Sequence, residues 1–358
     1  MFFMVKYSTL VRQHMRILTS LQYSSGLFAA SGKSVATGYD KAWLRDNFYS
    51  CLAFQCIGDW DTVFQTYRAV LNIFLKHEEK IDAVIAHKPS HRHQYIHARF
   101  HPETFDEFWE DWGNKQHDSI GALLFGIAHV QHHKDLLVTE NDFRIVQKLV
   151  WYLDAIAYWE DRDSGIWEEN EEVHASSLGA CVAGLTAICS YVTVPEHLIS
   201  RGKKALAHIL PRESEKKFVD LALLSLIYPY NIVTRDQAEE ILRHVSYHLV
   251  REMGVIRYKN DHYYNKNSDG YSEEAEWTFG FSWLSIIYDQ LGDAAHADYY
   301  MKRAQRTLTV KGEEPELYFS HTKTSNENTP LGWAESLFVV ALYRVMKRSL
   351  SPKRATLK

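Results

Sequence analysis

The sequence lacks most of the marks that assign a chain to a class on sight. No run of about 18 uncharged apolar residues occurs, so no membrane span is expected. The opening MFFMVKYSTLVRQHMRILTSL is interrupted by Lys6, Arg12 and Arg16, and no uncharged core or small-residue cleavage site follows, which argues against a signal peptide. Basic residues are not in excess: 40 Lys and Arg against 45 Asp and Glu leave a net charge of −5 and no footprint for nucleic acid. Cysteine is scarce. Cys51, Cys56, Cys181 and Cys189 lie in apolar helical runs without CxxC spacing, and read as small buried hydrophobes in a reducing compartment, so a cytoplasmic location is expected. No HExxH accompanies the histidines crowded at 87–101 and 129–133, and HRHQYIHARFH (91–101) alternates like a solvated hairpin, so no metal is expected. The stretch from Asp161 to Glu172 opens like a calcium loop, but its glycine comes one place early and a ligand is missing. No linker or composition shift divides the chain. One domain over 1–358 is expected, with a core at about 4–349 and a frayed tail at 350–358.

What the sequence does have is aromatic side chains and helical periodicity. Aromatics make up 13%, with 10 Trp and 21 Tyr, enough to supply exposed platforms that suit sugars or bases as well as a core. Twelve helical segments are expected, near 4–24, 43–58, 60–79, 117–134, 139–159, 174–192, 195–210, 215–228, 235–250, 274–292, 294–309 and 331–348. The odd segments from the third onward are amphipathic. The even ones, such as ASSLGACVAGLTAICS and TFGFSWLSIIYDQLG, are apolar nearly all round and must be enclosed by others. Enclosed and half-exposed helices in alternation describe an all-α fold, an (α/α)6 barrel, with strand-like pieces only at 90–101 and 253–264 as short β-hairpin excursions.

Connectivity then locates the function. Successive helices run antiparallel, so every outer-to-inner connection lies at one end of the barrel. The long loops 25–42, 80–116, 160–173, 251–273 and 310–330 are all of that kind. They gather over the N-termini of the inner helices, whose positive dipole ends favour carboxylates and hydroxyls. The stretch DSGIWEENEEVHASSLG (163–179) places Trp167 beside Glu168 and Glu169 ahead of a small-residue helix. Four glutamates in five positions would ordinarily be a solvated acidic loop. The tryptophan favours another reading, because a carboxyl against an aromatic wall, with like charges beside it, has its pKa pushed up as a general acid requires. The first loop ends in Trp43, Arg45 and Asp46, where an N-cap accounts for one residue and not for the trio. Arginine and aspartate can fork onto sugar hydroxyls while the tryptophan packs on a ring face. Trp112, Gln116 and Asp118 repeat that make-up at the start of the next inner helix. Arg257, Glu316 and Trp333 stand in or beside the last two loops.

These pieces together, AWLRDN (42–47), WGNKQHD (112–118), GIWEE with ASSLG (165–169 and 175–179), RY (257–258), PE (315–316) and PLGW (330–333), resemble glycoside hydrolase family 15. That is the glucoamylase family, which includes the glucoamylase-like domain of phosphorylase kinase regulatory subunits. HARF (97–100) is similar to the kinase-subunit branch. The resemblance runs in family order over about 25–345 and implies the (α/α)6 barrel already reached from helix alternation. It implies Glu168 as general acid and Glu316 as general base. It further implies substrate contacts from Trp43, Arg45, Asp46, Trp112, Gln116, Asp118, Trp167, Glu169, Arg257 and Trp333, with inversion at the anomeric carbon and no cofactor. Inversion needs two carboxylates about 6.5–9.5 Å apart. Glu313, Glu314 and Glu327 are rivals for the base. The expected activity is exo-hydrolysis of a small soluble α-glucan. The alternatives are α,α-trehalase activity and a non-catalytic glucan-binding or regulatory protein.

Overall fold

A computed structural model of the chain describes residues 2–110, 113–264 and 274–350, with side chains from Tyr7 onward. Twelve α-helices follow in order among these residues: α1 (Phe2–Leu21), α2 (Leu44–Ile57), α3 (Trp60–Lys76), α4 (Glu78–Ala86), α5 (His117–His133), α6 (Glu140–Ala155), α7 (Ala175–Ile188), α8 (Glu196–Ile209), α9 (Arg235–His248), α10 (Phe279–Gln290), α11 (Ala294–Ala304) and α12 (Gly332–Leu350). A 3₁₀ helix, Leu221–Leu226, stands between α8 and α9. The inner ring runs α2, α5, α7, the 3₁₀ helix, α10 and α12. Each packs on the next, and α12 closes back onto α2. Helices α1, α3, α6, α8, α9 and α11 form the outer layer, so the fold is the (α/α)6 barrel.

The two layers differ in how their helices begin. Outer helices α3, α6, α9 and α11 are capped by their own Asp59, Thr139, Thr234 and Asp293 side chains. Inner helices α2, α5, α7 and α10 receive no such bond from the residue at their start, which is Trp43, Gln116, His174 or Thr278. Their first N–H groups are satisfied from other elements. Asp163 accepts the His117 N–H, and Glu213 accepts the Ser176 N–H. Helices α5 and α7 approach each other closely through their glycines. There a Cβ on Gly121 would lie 2.4 Å from the Ala180 backbone, and one on Gly184 would lie 2.2 Å from the Gly121 carbonyl oxygen.

Several expectations are corrected. Residues 215–228 are not an α-helix. The Asp220 side chain turns back onto the Ala222 N–H, and only the six-residue 3₁₀ helix follows. The connection 210–220 is therefore a further outer-to-inner loop. The segment expected near 60–79 ends at Lys76, and a further helix, α4, follows at once, with its Glu78 held by Arg144 and Lys148. The solvated hairpin at 91–101 is not formed, because Tyr95 to Phe100 are buried. Strands β1 (Ala42–Trp43) and β2 (Arg99–Phe100) pair antiparallel, as do β3 (Glu276–Trp277) and β4 (Leu317–Tyr318). Each ladder ties two different long loops together rather than folding one into a hairpin. Cys51 and Cys181 are buried, but Cys56 is half-buried and Cys189 exposed. All four thiols are free. Among the described residues no helix is long and apolar enough to cross a membrane. The tail at 351–358 lies outside the described residues.

Candidate active site

Residues from four of the five long loops, 25–42, 160–173, 251–273 and 310–330, line one cavity of about 420 Å³. Its floor is aromatic. Trp333 stacks on Tyr49 (centroids 4.1 Å) and Phe279 (4.8 Å), and Trp167 and Trp277 lie alongside. Behind Trp333 pack Tyr49 and Trp283, both almost fully buried and outside the cavity lining. The cavity is blind at its inner end.

Nine of the twelve residues expected at the site line this cavity: Trp43, Arg45, Asp46, Trp167, Glu168, Glu169, Arg257, Glu316 and Trp333. Gln116 and Asp118 stand behind it. They hold Arg45 Nη1 at 2.8 and 3.2 Å, so they position the arginine rather than line the cleft. Trp112 lies outside the described residues. Thr37, Tyr39, Ile166, Tyr263, Tyr264 and Trp277 line the cavity without having been expected.

The loop before α7 carries two of the carboxylates. A backbone bridge between Asp163 and Glu172 closes its base. Gly165 and then Glu168 take positive φ, 64° and 62°. That conformation disfavours a side chain, so the surroundings must over-determine it. Several bonds do so: Glu169 N–H reaches the Ser164 carbonyl, and Ser164 N–H reaches that of Lys115. Glu168, whose side chain is 12% exposed, accepts from Arg45 Nη2 at 2.7 Å. Glu169 accepts from Arg257 (2.5 Å), the Tyr258 hydroxyl (2.5 Å) and Lys217 (3.3 Å). Burial pushes the Glu169 carboxyl up, but Arg257, Lys217 and Tyr258 outweigh it and hold the group below its ordinary range. Arg257 is gripped from behind by Asp261 through Nε and Nη2, both at 2.7 Å, and its guanidinium lies over Trp167, Trp277 and Tyr263. Trp167 is fixed by a 2.7 Å bond from its indole nitrogen to Asp220.

Glu316 enters from the loop before α12, and its carboxylate meets neutral donors. Asn326 (2.5 Å) and Asn328 (2.7 Å) donate to Oε2, and the Tyr39 hydroxyl donates to Oε1 at 2.9 Å. Tyr263 bonds the Tyr39 oxygen in turn, also at 2.9 Å. Burial raises the Glu316 pKa, and the three donors and Arg257 only partly offset this. Of its rivals, Glu314 is turned away into the protein toward Thr307, and Glu327 is exposed and bonded to Tyr264. Neither of these lines the cavity, and nor does Glu313. Asp46, in the first turn of α2, is pushed up to about 7 by burial, with Glu168 and Glu316 adding to the rise and Arg45 opposing it. No group of three or more His, Cys, Asp or Glu among the described residues could hold a metal ion.

A second cavity, about 660 Å³, adjoins the first at Glu168 and Glu169 and opens outward between Lys88, His91, Arg92, Lys115 and Asp161. The two carboxylates therefore stand at a threshold between an aromatic inner lobe and a polar outer one.

The family model for glycosyl hydrolases family 15 matches residues 5–328. The chain is 26% identical to the probable phosphorylase b kinase regulatory subunit alpha of Caenorhabditis elegans, over 84% of this chain and 30% of that protein. It thus spans about a third of the length of that relative. Among solved structures it resembles a glycosidase variant in complex with glucose (20% identity, TM-score 0.80, 98% of each chain covered). It also resembles the glucoamylase from Saccharomycopsis fibuligera (14% identity, TM-score 0.70, 98% of this chain and 96% of that one).

Proposed function

Because the chain belongs to glycosyl hydrolases family 15, we propose that it is an inverting, exo-acting α-glucosidase that releases β-glucose from the non-reducing end of small soluble glucans. The observation that carries this reading is the pairing of Glu168 and Glu316 in one blind aromatic cleft. They come from the loops before α7 and α12, the third and sixth members of the six-membered inner ring, and so from opposite sides of the mouth.

In this reading the terminal glucose enters the inner lobe and lies against the aromatic floor. Arg45, Asp46, Glu169 and Arg257 take its hydroxyls, and the scissile oxygen rests at the threshold beside Glu168. Glu168 gives its proton to that oxygen as the bond to the anomeric carbon breaks. Glu316 takes a proton from the water that attacks the opposite face. Both amides occupy Oε2, so Oε1, with the Tyr39 hydroxyl beside it, is the oxygen left for the water. Two carboxylates and water suffice, and no cofactor is required. The four free thiols fit a cytoplasmic location, which we keep as part of the proposal.

A second reading has its own support. The likeness to a kinase regulatory subunit suits a glucan-binding regulatory protein without turnover. Proton NMR of the protein with maltose, isomaltose, maltotriose and trehalose separates the two. Early β-glucose signal from one of the first three supports the hydrolase and names the linkage, and turnover of trehalose alone indicates the trehalase. Binding without turnover across the panel moves the assignment to the regulatory protein. Glu168→Gln and Glu316→Gln are each expected to lower kcat by roughly 10²–10⁴-fold while sugar binding and the fold persist. Full activity in the Glu316 variant would overturn its assignment as base.

A further inference from the structure

Outside the cavity lining lies a second set of buried acids. Glu335, in the first turn of α12, and Glu314, two residues before Glu316, are both inaccessible to solvent. Glu335 Oε2 meets Nδ1 of His14, from α1, at 2.5 Å, with both side chains wholly buried. Its other oxygen accepts the backbone N–H of Glu314 at 2.7 Å. The Glu314 carbonyl accepts the Leu331 N–H at 2.9 Å, and its carboxyl accepts the Thr307 hydroxyl at 3.1 Å. Next along the chain, Thr278 donates its hydroxyl to the Pro315 carbonyl at 2.5 Å and its N–H to the Glu316 carbonyl at 3.3 Å. The Glu316 N–H reaches the Asn328 carbonyl at 3.0 Å.

The protonation of this set is consistent with its bonds. Burial pushes Glu335 and Glu314 well above the ordinary carboxyl range and lowers His14 to about 4. A protonated Glu335 donates from Oε2 to a neutral His14 and keeps Oε1 as the acceptor for Glu314. The arrangement is expensive for a helix seam. His14 Nε2 has no hydrogen-bond partner among the described residues, and the imidazole lies against the ring of Phe338, centroids 4.5 Å apart. Apolar side chains would pack the α1–α12 seam at lower cost, yet they could not hold a loop N–H.

We propose that Glu335 is a positioning residue for Glu316. It clamps the Glu314 backbone, and His14 fixes its rotamer, so that the carboxylate two residues on stays aimed into the cleft. The kinetic side of this proposal rests on the role given to Glu316 above, and the backbone side does not.

The test compares Glu335→Ala, which removes both bonds, with Glu335→Gln, which keeps an acceptor for the Glu314 N–H and a donor for His14. Steady-state kinetics on the sugar turned over in the NMR panel is paired with hydrogen–deuterium exchange of the segment 313–318, using 163–172 as an internal control. Glu335→Ala is expected to lower kcat roughly 10- to 100-fold with KM nearly unchanged. Exchange in 313–318 should rise about tenfold while the control segment stays as it was, and Glu335→Gln should restore both readouts. Wild-type kcat in a folded Ala variant, equal losses in Ala and Gln, or exchange rising alike in both segments would overturn the proposal. If the wild-type protein turns over no sugar, the hydrolase reading fails and the exchange contrast alone decides for or against the clamp. If the Ala variant does not fold, His14→Phe, which strips Glu335 of its partner, is expected to give the same segment-limited rise, and its absence would count against the clamp.

Discussion

The cleft acids are distinguished by what surrounds each of them rather than by residue type. Glu169 is held by two cations, Glu168 by Arg45, and Glu316 by two amides and a phenol. Asp46 is the one whose burial is least compensated, at about 7 against 3.8 for a free aspartate. It binds its proton more tightly folded than unfolded. Its contribution therefore favours the fold below about 4 and declines as the pH rises to about 7. Above that pH the ionised group costs about 4 kcal/mol at most. Asp46→Asn is expected to raise the urea midpoint at pH 8 relative to wild type, and not at pH 4, while weakening sugar binding. A variant no more stable at pH 8 would contradict this. At this scale the sequence was legible where motifs cluster, at Arg45, Glu168 and Arg257. It did not distinguish Glu314 from Glu316, because the two flank Pro315 and only the tertiary fold turns one to the core and the other to the cleft. Tyr39 sits three residues ahead of AWLRDN without a pattern of its own. Asn326 and Asn328 left one signal, their alternation, which is what two adjacent donors on one face of an extended segment require.

The barrel's helices were legible because enclosure leaves a compositional mark, an apolar circumference, that needs no knowledge of partners. That mark misleads where the run is short. Residues 221–226 are apolar all round and fully buried, yet the Asp220 bond to Ala222 turns the backbone into a 3₁₀ helix. Lys217 and Asp220 thereby become loop residues that reach Glu169 and Trp167. The α5–α7 crossing shows what close enclosure demands. Gly121→Ala would drive a methyl group to 2.4 Å from the Ala180 backbone, and is expected to destabilise by about 3 kcal/mol. Gly32→Ala is the control, since its nearest neighbour would be an ordinary 3.7 Å away. Urea denaturation of the two variants checks this. Equal midpoints would mean that α5 and α7 can separate without loss.

For the whole molecule, the ring closes by bringing the ends of the chain together, with α1 and α2 both packed on α12. Connectivity predicted that the long loops share one mouth; four of them line the inner cavity, and 80–116 lines the outer one that adjoins it. What it could not supply is how they lean on one another through β1–β2, β3–β4 and the side chains between them, since contacts between loops carry no periodicity. The aromatic packing behind Trp333 has a further consequence. For the exo-hydrolysis proposed above, a cleft with one door imposes an order on traffic: the leaving group must go before the glucose behind it can, and a shortened chain cannot slide forward to present its next residue. Each cut therefore ends the encounter. With a long maltooligosaccharide, a chromatographic time course should show every starting chain trimmed by one before any is trimmed far, and free glucose, the last to leave, should compete with the substrate for the lobe it has just vacated.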